Sequence, residues 1–353
     1  MNSIIKGIEN IIPIIKCKKF LLIAGKSFDN LEIKREFDKL NHIEYRNFSP
    51  NPLYEQVCEA VEIFNKENCE MIVAVGGGSA IDVAKCVKLF CKMDKTVNYL
   101  HQEYFDTHIE LIAIPTTAGT GSESTRHAVI YYEGEKQSIS HISIVPDYAV
   151  LDASLLNSLP IYQKKCTLFD ALCQAIESWW SVNSTDESID YSKKAISMIV
   201  ANWRDYIENN DSVAAEYILE AANYSGKAIN ITATTAAHAM SYKITSLYNI
   251  PHGHAVAICM LYVWKYLINN TDKCIDNRGA EYLKRILLQI DTVINYEIFC
   301  DIYSKMDMKS PISDDKEKDI RLLVKSVNPD RLKNYPVQLS EDAIREIYEK
   351  VIE

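Results

Sequence analysis

Four short runs of apolar residues in the first half of the chain place the strongest constraint on its fold. Each run is compact, rich in β-branched residues, and lacks the polar alternation of a strand with one face in water. Strands of this kind are typical of a parallel sheet that is covered on both faces. The runs are FLLIAG (20–25), MIVAVGG (71–77), ELIAIPTT (110–117) and YAVLD (148–152).

The segments between these runs predict the helices that cover such a sheet, and one hairpin. Residues 52–68 and 79–92 have the amphipathic pattern of helices. In YYEGEKQSISHIS (131–143) a Glu-Gly turn lies between strand-like flanks, which favours a hairpin.

After residue 160 the strand signal stops and long helical patterns fill the rest of the chain. We therefore expect an α/β fold with two domains. Residues 1–158 should form a Rossmann-like, doubly wound parallel sheet that binds a dinucleotide. Residues 159–353 should form an all-helical domain for metal and substrate, with the ligands in a cleft between the two.

Charge and cysteine content exclude several classes of protein. The net charge is −10 and no basic block stands out, which argues against a nucleic-acid partner. The ten cysteines are scattered without a C-x-x-C pair, so we expect free thiols in a reducing cytoplasm. No apolar run is long enough for a signal core or for a membrane span of about 20 residues. The sequence predicts a cytoplasmic protein.

Three consecutive glycines join a buried strand to a helix in VAVGGGSAID (73–82). Glycine lets a phosphate approach the backbone, and the helix N-terminus adds free N–H groups and the positive end of the dipole. We expect Gly77, Gly78, Ser79 and Asp82 to lie at such a phosphate site. The alternative is a tight turn in which Ser79 and Asp82 form a capping-box-like helix start.

A second polar loop, IPTTAGTGSES (114–124), follows another buried strand. It offers the hydroxyl groups of Thr116, Thr117, Thr120 and Ser122 beside flexible glycines. Ligands of open α/β sheets bind at the carboxyl ends of strands. One such loop alone could be a linker, but two in one domain indicate a pyrophosphate.

Polar side chains share one face of an otherwise apolar helix in FDALCQAIESWW (169–180). Asp170, Gln174 and Glu177 lie on this face, because residues four and seven apart are neighbours on a helix. Such a polar face requires either a cavity or solvent. A solvated face is the alternative to a ligand site.

Histidines cluster further along the chain, in AAHAMSYKITSLYNIPHGHA (236–255). His238 and Tyr242 are four apart on a predicted helix. Pro251 then breaks the chain, and His252 follows in a glycine-containing turn. The two histidines form a plausible ligand pair, and a purely structural role is the alternative.

Together these motifs give the chain its resemblance to a known family. GGGSAID, IPTTAGTGSE, DALCQAIES and HAMSYKITSLYNIPHGHA resemble the iron-containing (group III) alcohol dehydrogenases, in the same order and at comparable spacing. The segment NPDRLKNYPVQLSEDAIREIY near the end is also similar. Within that family, the chain most resembles the phosphonoacetaldehyde reductases, also called hydroxyethylphosphonate dehydrogenases.

The resemblance implies a divalent metal, Fe²⁺ or Zn²⁺, held by one aspartate and three histidines. The aspartate corresponds to Asp170 and two histidines to His238 and His252, whereas the first histidine falls on Gln174. A glutamine carbonyl is a weaker ligand than imidazole, so we expect a weakened metal site. Tyr242 stands where many members have another histidine. His254 lies beyond the ligand set, and we expect His254 or Tyr242 to relay a proton.

The resemblance also implies a nicotinamide cofactor that is held by the two loops. Its expected contacts are Gly77, Gly78, Ser79, Asp82, Thr116, Thr117, Thr120, Ser122 and Lys136. Members selective for NAD(H) often carry an acidic residue after the first strand, where this chain has Gly25, Lys26 and Ser27. Nothing there repels a 2′-phosphate, so we expect NADP(H), or the use of both NADP(H) and NAD(H).

The subgroup resemblance implies reduction of phosphonoacetaldehyde to 2-hydroxyethylphosphonate. We also expect a homodimer, with no nucleic-acid or membrane partner. Arg126 and Lys243 are then candidates for the local cations that bind the phosphonate. The alternative is a general small-alcohol or butanol-type dehydrogenase of the same family. Two further alternatives are a lyase related to dehydroquinate synthase and a cofactor-binding protein that has lost catalysis.

Overall fold

The protein is described by a computed structural model that covers residues 2–353. It contains two compact units, the first ending at Leu159 and the second beginning at Pro160. All strands lie in the first unit.

A six-stranded parallel sheet forms the first unit, in the order β1-β8-β5-β4-β2-β3. A hairpin of β6 and β7 interrupts the α/β alternation before β8. The strands are β1 (Ser3–Lys6), β2 (Phe20–Ala24), β3 (His42–Tyr45), β4 (Met71–Gly76), β5 (Glu110–Pro115), β6 (His127–Tyr132), β7 (Glu135–Ser140) and β8 (Tyr148–Leu151). The helices of this unit are α1 (Ile12–Ile15), α2 (Lys34–Phe37), α3 (Tyr54–Lys66) and α4 (Gly78–Phe90).

The predicted fold class is confirmed, and each of the four apolar runs forms a strand of the sheet. Every residue of β2 is buried, and its side chains alternate between two cores. Leu21 and Ile23 belong to one apolar cluster, whereas Leu22 belongs to the other. Because both faces of the sheet are covered, no polar residue alternates with the apolar ones.

The sequence did not predict the two edge strands, β1 and β3. Each has only four residues, and each carries exposed polar side chains such as Glu44. Short edge strands with polar side chains protect a sheet from pairing with other chains. Strands of this kind contain no long apolar run, so the sequence pattern does not reveal them.

The predicted hairpin is confirmed at the Glu-Gly turn. Glu133 and Gly134 both have positive φ, at 51° and 80°. A two-residue loop with both residues in this region matches the right-handed twist of the flanking strands. The β6–β7 pair therefore closes directly, with Tyr132 opposite Glu135.

Helices build the second unit, and among its described residues there is no strand, only an isolated bridge between Cys274 and Val337. The helices are α5 (Ile161–Trp180), α6 (Asp186–Glu208), α7 (Ser212–Thr232), α8 (Ala236–Tyr248), α9 (His252–Asn269), α10 (Ala280–Asp291), α11 (Tyr296–Lys305), α12 (Lys316–Ser326), α13 (Pro329–Leu332) and α14 (Glu341–Val351).

Helix α5 lies at the centre of this unit and packs against α6, α7 and α9. Every side chain from Leu168 to Trp180 is buried, including Asp170, Gln174 and Glu177. The alternative of a solvated polar face is therefore wrong. A buried face with two carboxyl groups requires polar partners.

None of the helices in residues 2–353 is both long and apolar enough to cross a membrane. The ten cysteines are all unpaired, and six of them are buried, as the sequence predicts. The expected cytoplasmic location and dimeric assembly stay predictions.

Gly253 lets α9 approach α5 closely. A Cβ at this position would overlap the backbone carbonyl oxygen of Cys166 and would lie 3.1 Å from the Cβ of Asp170. The preceding residue, His252, begins the helix. The absence of a side chain at Gly253 thus sets the spacing at which His252 and Asp170 can meet.

We expect Gly253→Ala to destabilise the protein, although alanine favours helices over glycine by about 1 kcal/mol. Overpacking against an immovable backbone costs about 1–3 kcal/mol and outweighs that gain. The measurement is the midpoint of thermal unfolding. Gly25→Ala is the control, because no atom lies within 4 Å of its added Cβ. An unchanged or raised midpoint for Gly253→Ala would contradict this packing.

Candidate active site

The two loops predicted to hold a pyrophosphate lie side by side after the paired strands β4 and β5. A Cβ on Gly77 would lie 3.3 Å from Thr117 Oγ1, and one on Gly78 would lie 3.0 Å from Thr120 Cγ2. Helix α4 begins at Gly78, so its first N–H groups open beside the threonine loop. The structure thus brings the glycine and threonine residues together.

Ser79 and Asp82 do not cap α4, so the capping-box alternative is wrong. No side chain bonds to the cap of this helix. Ser79 Oγ donates to the carbonyl of Pro50, and the Asp82 carboxylate accepts from Ser122 Oγ at 2.8 Å and from the Val129 N–H at 3.0 Å. These bonds tie α4 to the second loop and to β6, and they occupy both carboxylate oxygens of Asp82.

Lys85 is a buried cation that the sequence analysis missed. Its Nζ donates to Ser122 Oγ and Thr125 Oγ1, each at 2.9 Å, and to the His127 carbonyl at 2.7 Å. Burial lowers the pKa of Lys85 to about 8, against the opposing charge of Asp82. The spacing of Asp82 and Lys85 along one helix was the available signal. The pair fixes the shape of the second loop.

The residues expected to select the cofactor lie at the end of β2. Gly25 is extended at φ −72°, its N–H donates to the Val75 carbonyl at 3.2 Å, and no atom lies within 4 Å of its Cβ position. Lys26 and Ser27 follow it and are exposed. The open space at Gly25 therefore lies beside the strand that leads into the glycine loop.

Three more residues of the first unit were predicted as ligand contacts. Thr116 follows β5 and is buried. Lys136 lies on β7 and is partly buried. Burial raises the pKa of Asp82, and the charge of Lys136 is one of those that oppose this rise. Arg126 is also partly buried, and its carbonyl accepts from the His141 N–H at 3.1 Å.

In the second unit, Asp170, His238 and His252 bring their ligand atoms within 4.8 Å of one another. They come from three different helices, α5, α8 and α9. Asp170 Oδ1 lies 3.3 Å from His238 Nε2 and 4.0 Å from His252 Nε2. Asp170 and His238 are buried and His252 is partly exposed. One carboxylate and two imidazoles form a donor set that suits Fe²⁺ or Zn²⁺.

The predicted turn at His252 is wrong. The residue lies not in a turn but at the first position of α9, directly after Pro251. Proline is favoured at helix starts because no intrahelical bond needs its missing N–H. Gly253 indicated a turn in the sequence, but in the structure it serves the close packing of α9 on α5.

Glu177 orients the buried histidine. Its carboxylate accepts from His238 Nδ1, from Thr235 Oγ1 at 2.7 Å and from the Ala237 N–H at 2.7 Å. The other ring nitrogen of His238 is thereby directed at Asp170. Carboxylate–histidine pairs of this kind fix the ligands of metal sites. Glu177 was predicted to lie on the polar face of the helix, but without a role of its own.

The charges of this cluster favour a cation. Burial opposes a charged ring, yet the carboxylates of Glu177 and Asp170 raise the pKa of His238 to about 9. Burial would raise the pKa of Asp170 and of Glu177, but both are lowered, because His238 acts together with His252 and Gln174 on Asp170 and together with Thr235 on Glu177. Positive charge is therefore stabilised between Asp170 and the two histidines, where a metal ion would supply it.

Gln174 lies one helical turn after Asp170, as predicted, and contacts it. Its Nε2 donates to Asp170 Oδ1 at 3.1 Å, and its Oε1 lies 3.0 Å from Ser225 Oγ. Ser225 Oγ also lies 2.9 Å from the Ala171 carbonyl, and a hydroxyl has a single proton to donate. If Ser225 donates to Ala171, the amide of Gln174 can rotate so that its nitrogen donates to Ser225 and its oxygen faces Asp170.

Tyr242 lies against the ligand cluster. Its ring stacks on that of His252 with the centroids 5.5 Å apart and the planes at 3°. Its hydroxyl accepts from Arg331 Nη1 at 2.9 Å. Lys243 follows on the same helix and is partly buried. Arg331 escaped the sequence analysis because it lies 89 residues from Tyr242.

His254 is buried two residues after His252, on another side of α9. Its Nδ1 lies 2.7 Å from the hydroxyl of Tyr162 on α5, and the two rings meet edge to face. Burial lowers the pKa of His254. The structure gives this ring a partner in Tyr162, so the relay role proposed for His254 stays a prediction.

The first unit thus has a parallel sheet with paired polar loops, and the helical second unit has an Asp-His-His cluster. Models of known protein families match both parts of the chain. Residues 2–153 match the iron-containing alcohol dehydrogenase description, and residues 165–352 match the C-terminal domain of the Fe-containing alcohol dehydrogenase family. The chain belongs to the iron-containing alcohol dehydrogenase family.

Individual relatives differ in what they act on. A probable alcohol dehydrogenase (EutG) of Escherichia coli is 35% identical over 61% of this chain and 56% of its own length. The phosphonoacetaldehyde reductase of Streptomyces viridochromogenes is 31% identical over 62% of this chain and 58% of its own length. The chain thus matches little more than half the length of these relatives.

Several solved structures match over nearly their whole length. One of them is the sulfoacetaldehyde reductase of Bifidobacterium kashiwanohense in complex with NAD⁺, which is 27% identical. The TM-score is 0.87, and the match covers 99% of this chain and 96% of that one.

We expect Glu177→Gln to weaken metal binding by about 10–100-fold, because His238 loses the carboxylate that orients it. The dissociation constant for Zn²⁺, measured by competition with a fluorescent chelator, gives the effect. Glu208→Gln, which removes a carboxylate at the exposed end of α6, should bind as the wild type does. Equal affinities for wild type and Glu177→Gln would show that Glu177 does not support a metal site.

Proposed function

We propose that the protein reduces a small aldehyde to a primary alcohol with NAD(P)H and a divalent metal. The more specific proposal is reduction of phosphonoacetaldehyde to 2-hydroxyethylphosphonate. The reaction class is supported by one observation: the ligand atoms of Asp170, His238 and His252 lie close together, and Glu177 contacts the other ring nitrogen of His238.

The donor set fits the metal that the family implies. Asp170, His238 and His252 would hold it, and Gln174 would add its amide oxygen once the amide has rotated toward Asp170. When bound, the metal would polarise the carbonyl oxygen as a Lewis acid, and the nicotinamide would supply the hydride. We propose Fe²⁺ as the metal, with Zn²⁺ as the other candidate that this donor set accepts.

The residues of the chain would hold the reactants and one proton. In our proposal the first unit binds the dinucleotide through the two loops, with Gly77 and Gly78 leaving room for the pyrophosphate. Burial raises the pKa of Tyr242, although Arg331 opposes this, so its hydroxyl keeps its proton at neutral pH. Tyr242 would thus donate a hydrogen bond near the metal ligands rather than act as a base. A proton relay through His254 would pass through the hydroxyl of Tyr162, which is its side-chain partner.

Support for an anionic substrate comes from two relatives. By their names, one reduces phosphonoacetaldehyde and the other sulfoacetaldehyde, and both substrates are two-carbon aldehydes with a tetrahedral anionic group. Arg126 and Lys243 are the cations that the sequence proposes for this group. The match at 35% identity to a probable alcohol dehydrogenase favours the second candidate, a dehydrogenase of small neutral alcohols.

The proposal for the cofactor is NADPH, or the use of both cofactors, because of the open space at Gly25. Gly25→Asp should raise the KM for NADPH far more than the KM for NADH, since a carboxylate would face the 2′-phosphate. The measurement is steady-state kinetics with each cofactor, with Gly25→Ala as the uncharged control. Equal losses for both cofactors would place Gly25 away from the 2′-position.

Turnover with phosphonoacetaldehyde tests the function itself. We expect one NADPH oxidised per 2-hydroxyethylphosphonate formed, loss of activity with a chelator, and recovery with Fe²⁺ or Zn²⁺. A lyase would consume no net NADPH, and a protein that only binds the cofactor would show no turnover. Full activity without metal, or faster reduction of propanal than of phosphonoacetaldehyde, would contradict the proposal.

A further inference from the structure

Arg331 lies one aromatic ring away from the metal-ligand cluster. Its Nη1 donates to the Tyr242 hydroxyl at 2.9 Å, and its Cζ is 4.9 Å from the centre of that ring. The same ring stacks on His252, whose Nε2 lies 4.0 Å from Asp170 Oδ1. The ring of Tyr242 therefore contacts both the guanidinium and one of the candidate metal ligands.

No carboxylate neutralises this arginine. Among the described residues Arg331 forms no ion pair, and its sequence neighbour Asp330 instead pairs with Lys333 at 2.6 Å. Arg278 and Arg345, elsewhere in the same unit, each contact a carboxylate. Although the chain has a net charge of −10, Arg331 thus places a cation beside the ligand cluster that no carboxylate of the described residues neutralises.

The backbone around Arg331 is firmly held. Asn334 Nδ2 donates to the Thr234 carbonyl at 3.2 Å, just before α8. The hydroxyl of the buried Tyr335 donates to the Val263 carbonyl of α9 at 2.8 Å. These bonds anchor the segment that carries Arg331 to the two helices that supply His238 and His252. The guanidinium is thus presented from a fixed position.

Guanidinium has five N–H donors, and within residues 2–353 Arg331 uses only Nη1, for its bond to Tyr242. Its Nε and Nη2 remain for a ligand and can bind two oxygens of one tetrahedral anion. In a two-carbon aldehyde of this kind a single CH₂ group lies between the carbonyl carbon and the anionic group. Both groups must then be recognised by neighbouring side chains, and Arg331 and His252 both contact the ring of Tyr242.

We propose that Arg331 binds the anionic tetrahedral group, phosphonate or sulfonate, of the aldehyde substrate. This inference rests on the proposed function and names the residue that would determine its substrate class. The competing interpretation is that Arg331 only positions Tyr242. The two differ in their effect on a neutral aldehyde, because a lost positioning contact would impair every substrate.

The test compares wild type, Arg331→Gln and Arg331→Lys, all loaded with metal, on phosphonoacetaldehyde, sulfoacetaldehyde and propanal. Loss of a charge-assisted contact should raise the KM of Arg331→Gln for both anionic aldehydes by about 100-fold. The kinetics with propanal should stay within about threefold, and Arg331→Lys should recover part of the loss. The relative losses for the two anions show which group the site prefers.

Direct binding gives a readout that does not depend on turnover. Calorimetry with 2-hydroxyethylphosphonate should show the same loss of affinity in Arg331→Gln. Lys333→Gln is the matched control, since it removes an exposed positive charge two residues away and should bind as wild type does. Arg126→Gln and Lys243→Gln are measured in the same way, because Arg126 and Lys243 are the other candidate cations for the anionic group.

The outcomes separate this inference from the proposed function. If wild type prefers the anionic aldehydes but Arg331→Gln leaves that preference intact, Arg331 is not the recognition residue and the function stands. Equal losses on propanal and on the anions, or a selective loss only in Arg126→Gln, also overturn the inference. If wild type prefers propanal, the anionic substrate is wrong and the inference is overturned with it.

Discussion

The contact between His238 and two buried carboxylates is the interaction on which the rest of the candidate site depends. Asp170 and Glu177 lie on the same buried helix, and taking a carboxylate out of water costs several kcal/mol unless an opposite charge pairs with it. His238 lies between them, with one ring nitrogen on each. A bare pair of carboxylates would not be stable there. The same arrangement leaves Asp170 facing a second imidazole, where a divalent cation would complete the balance of charge.

The surrounding packing serves this contact. Pro251 begins α9 where His252 is needed, and Gly253 removes the side chain that would hold α9 away from α5. Gln174 brings an amide to the position where the family has a histidine, and Ser225 can hold that amide in the orientation that exposes its oxygen. In that orientation Gln174 would offer an amide oxygen where the family has an imidazole.

Much of this could be predicted from the sequence, because its signals are local. The buried strands and the polar face of α5 follow from periodicity alone, and the resemblance supplied His238 and His252 as ligands. Contacts that join distant segments could not be predicted. Arg331 meets Tyr242 only after the chain has folded, and Asp82 bonds to Ser122 rather than capping its own helix.

X-ray absorption at the metal edge tests the central claim most directly, with the protein loaded with Fe²⁺ or Zn²⁺. The account predicts a bound metal with nitrogen and oxygen ligands and two imidazole contributions, from His238 and His252. In Gln174→His the number of imidazoles should rise to three, and the metal should bind more tightly. Absence of imidazole ligands, or the same two imidazoles in wild type and variant, would contradict the account.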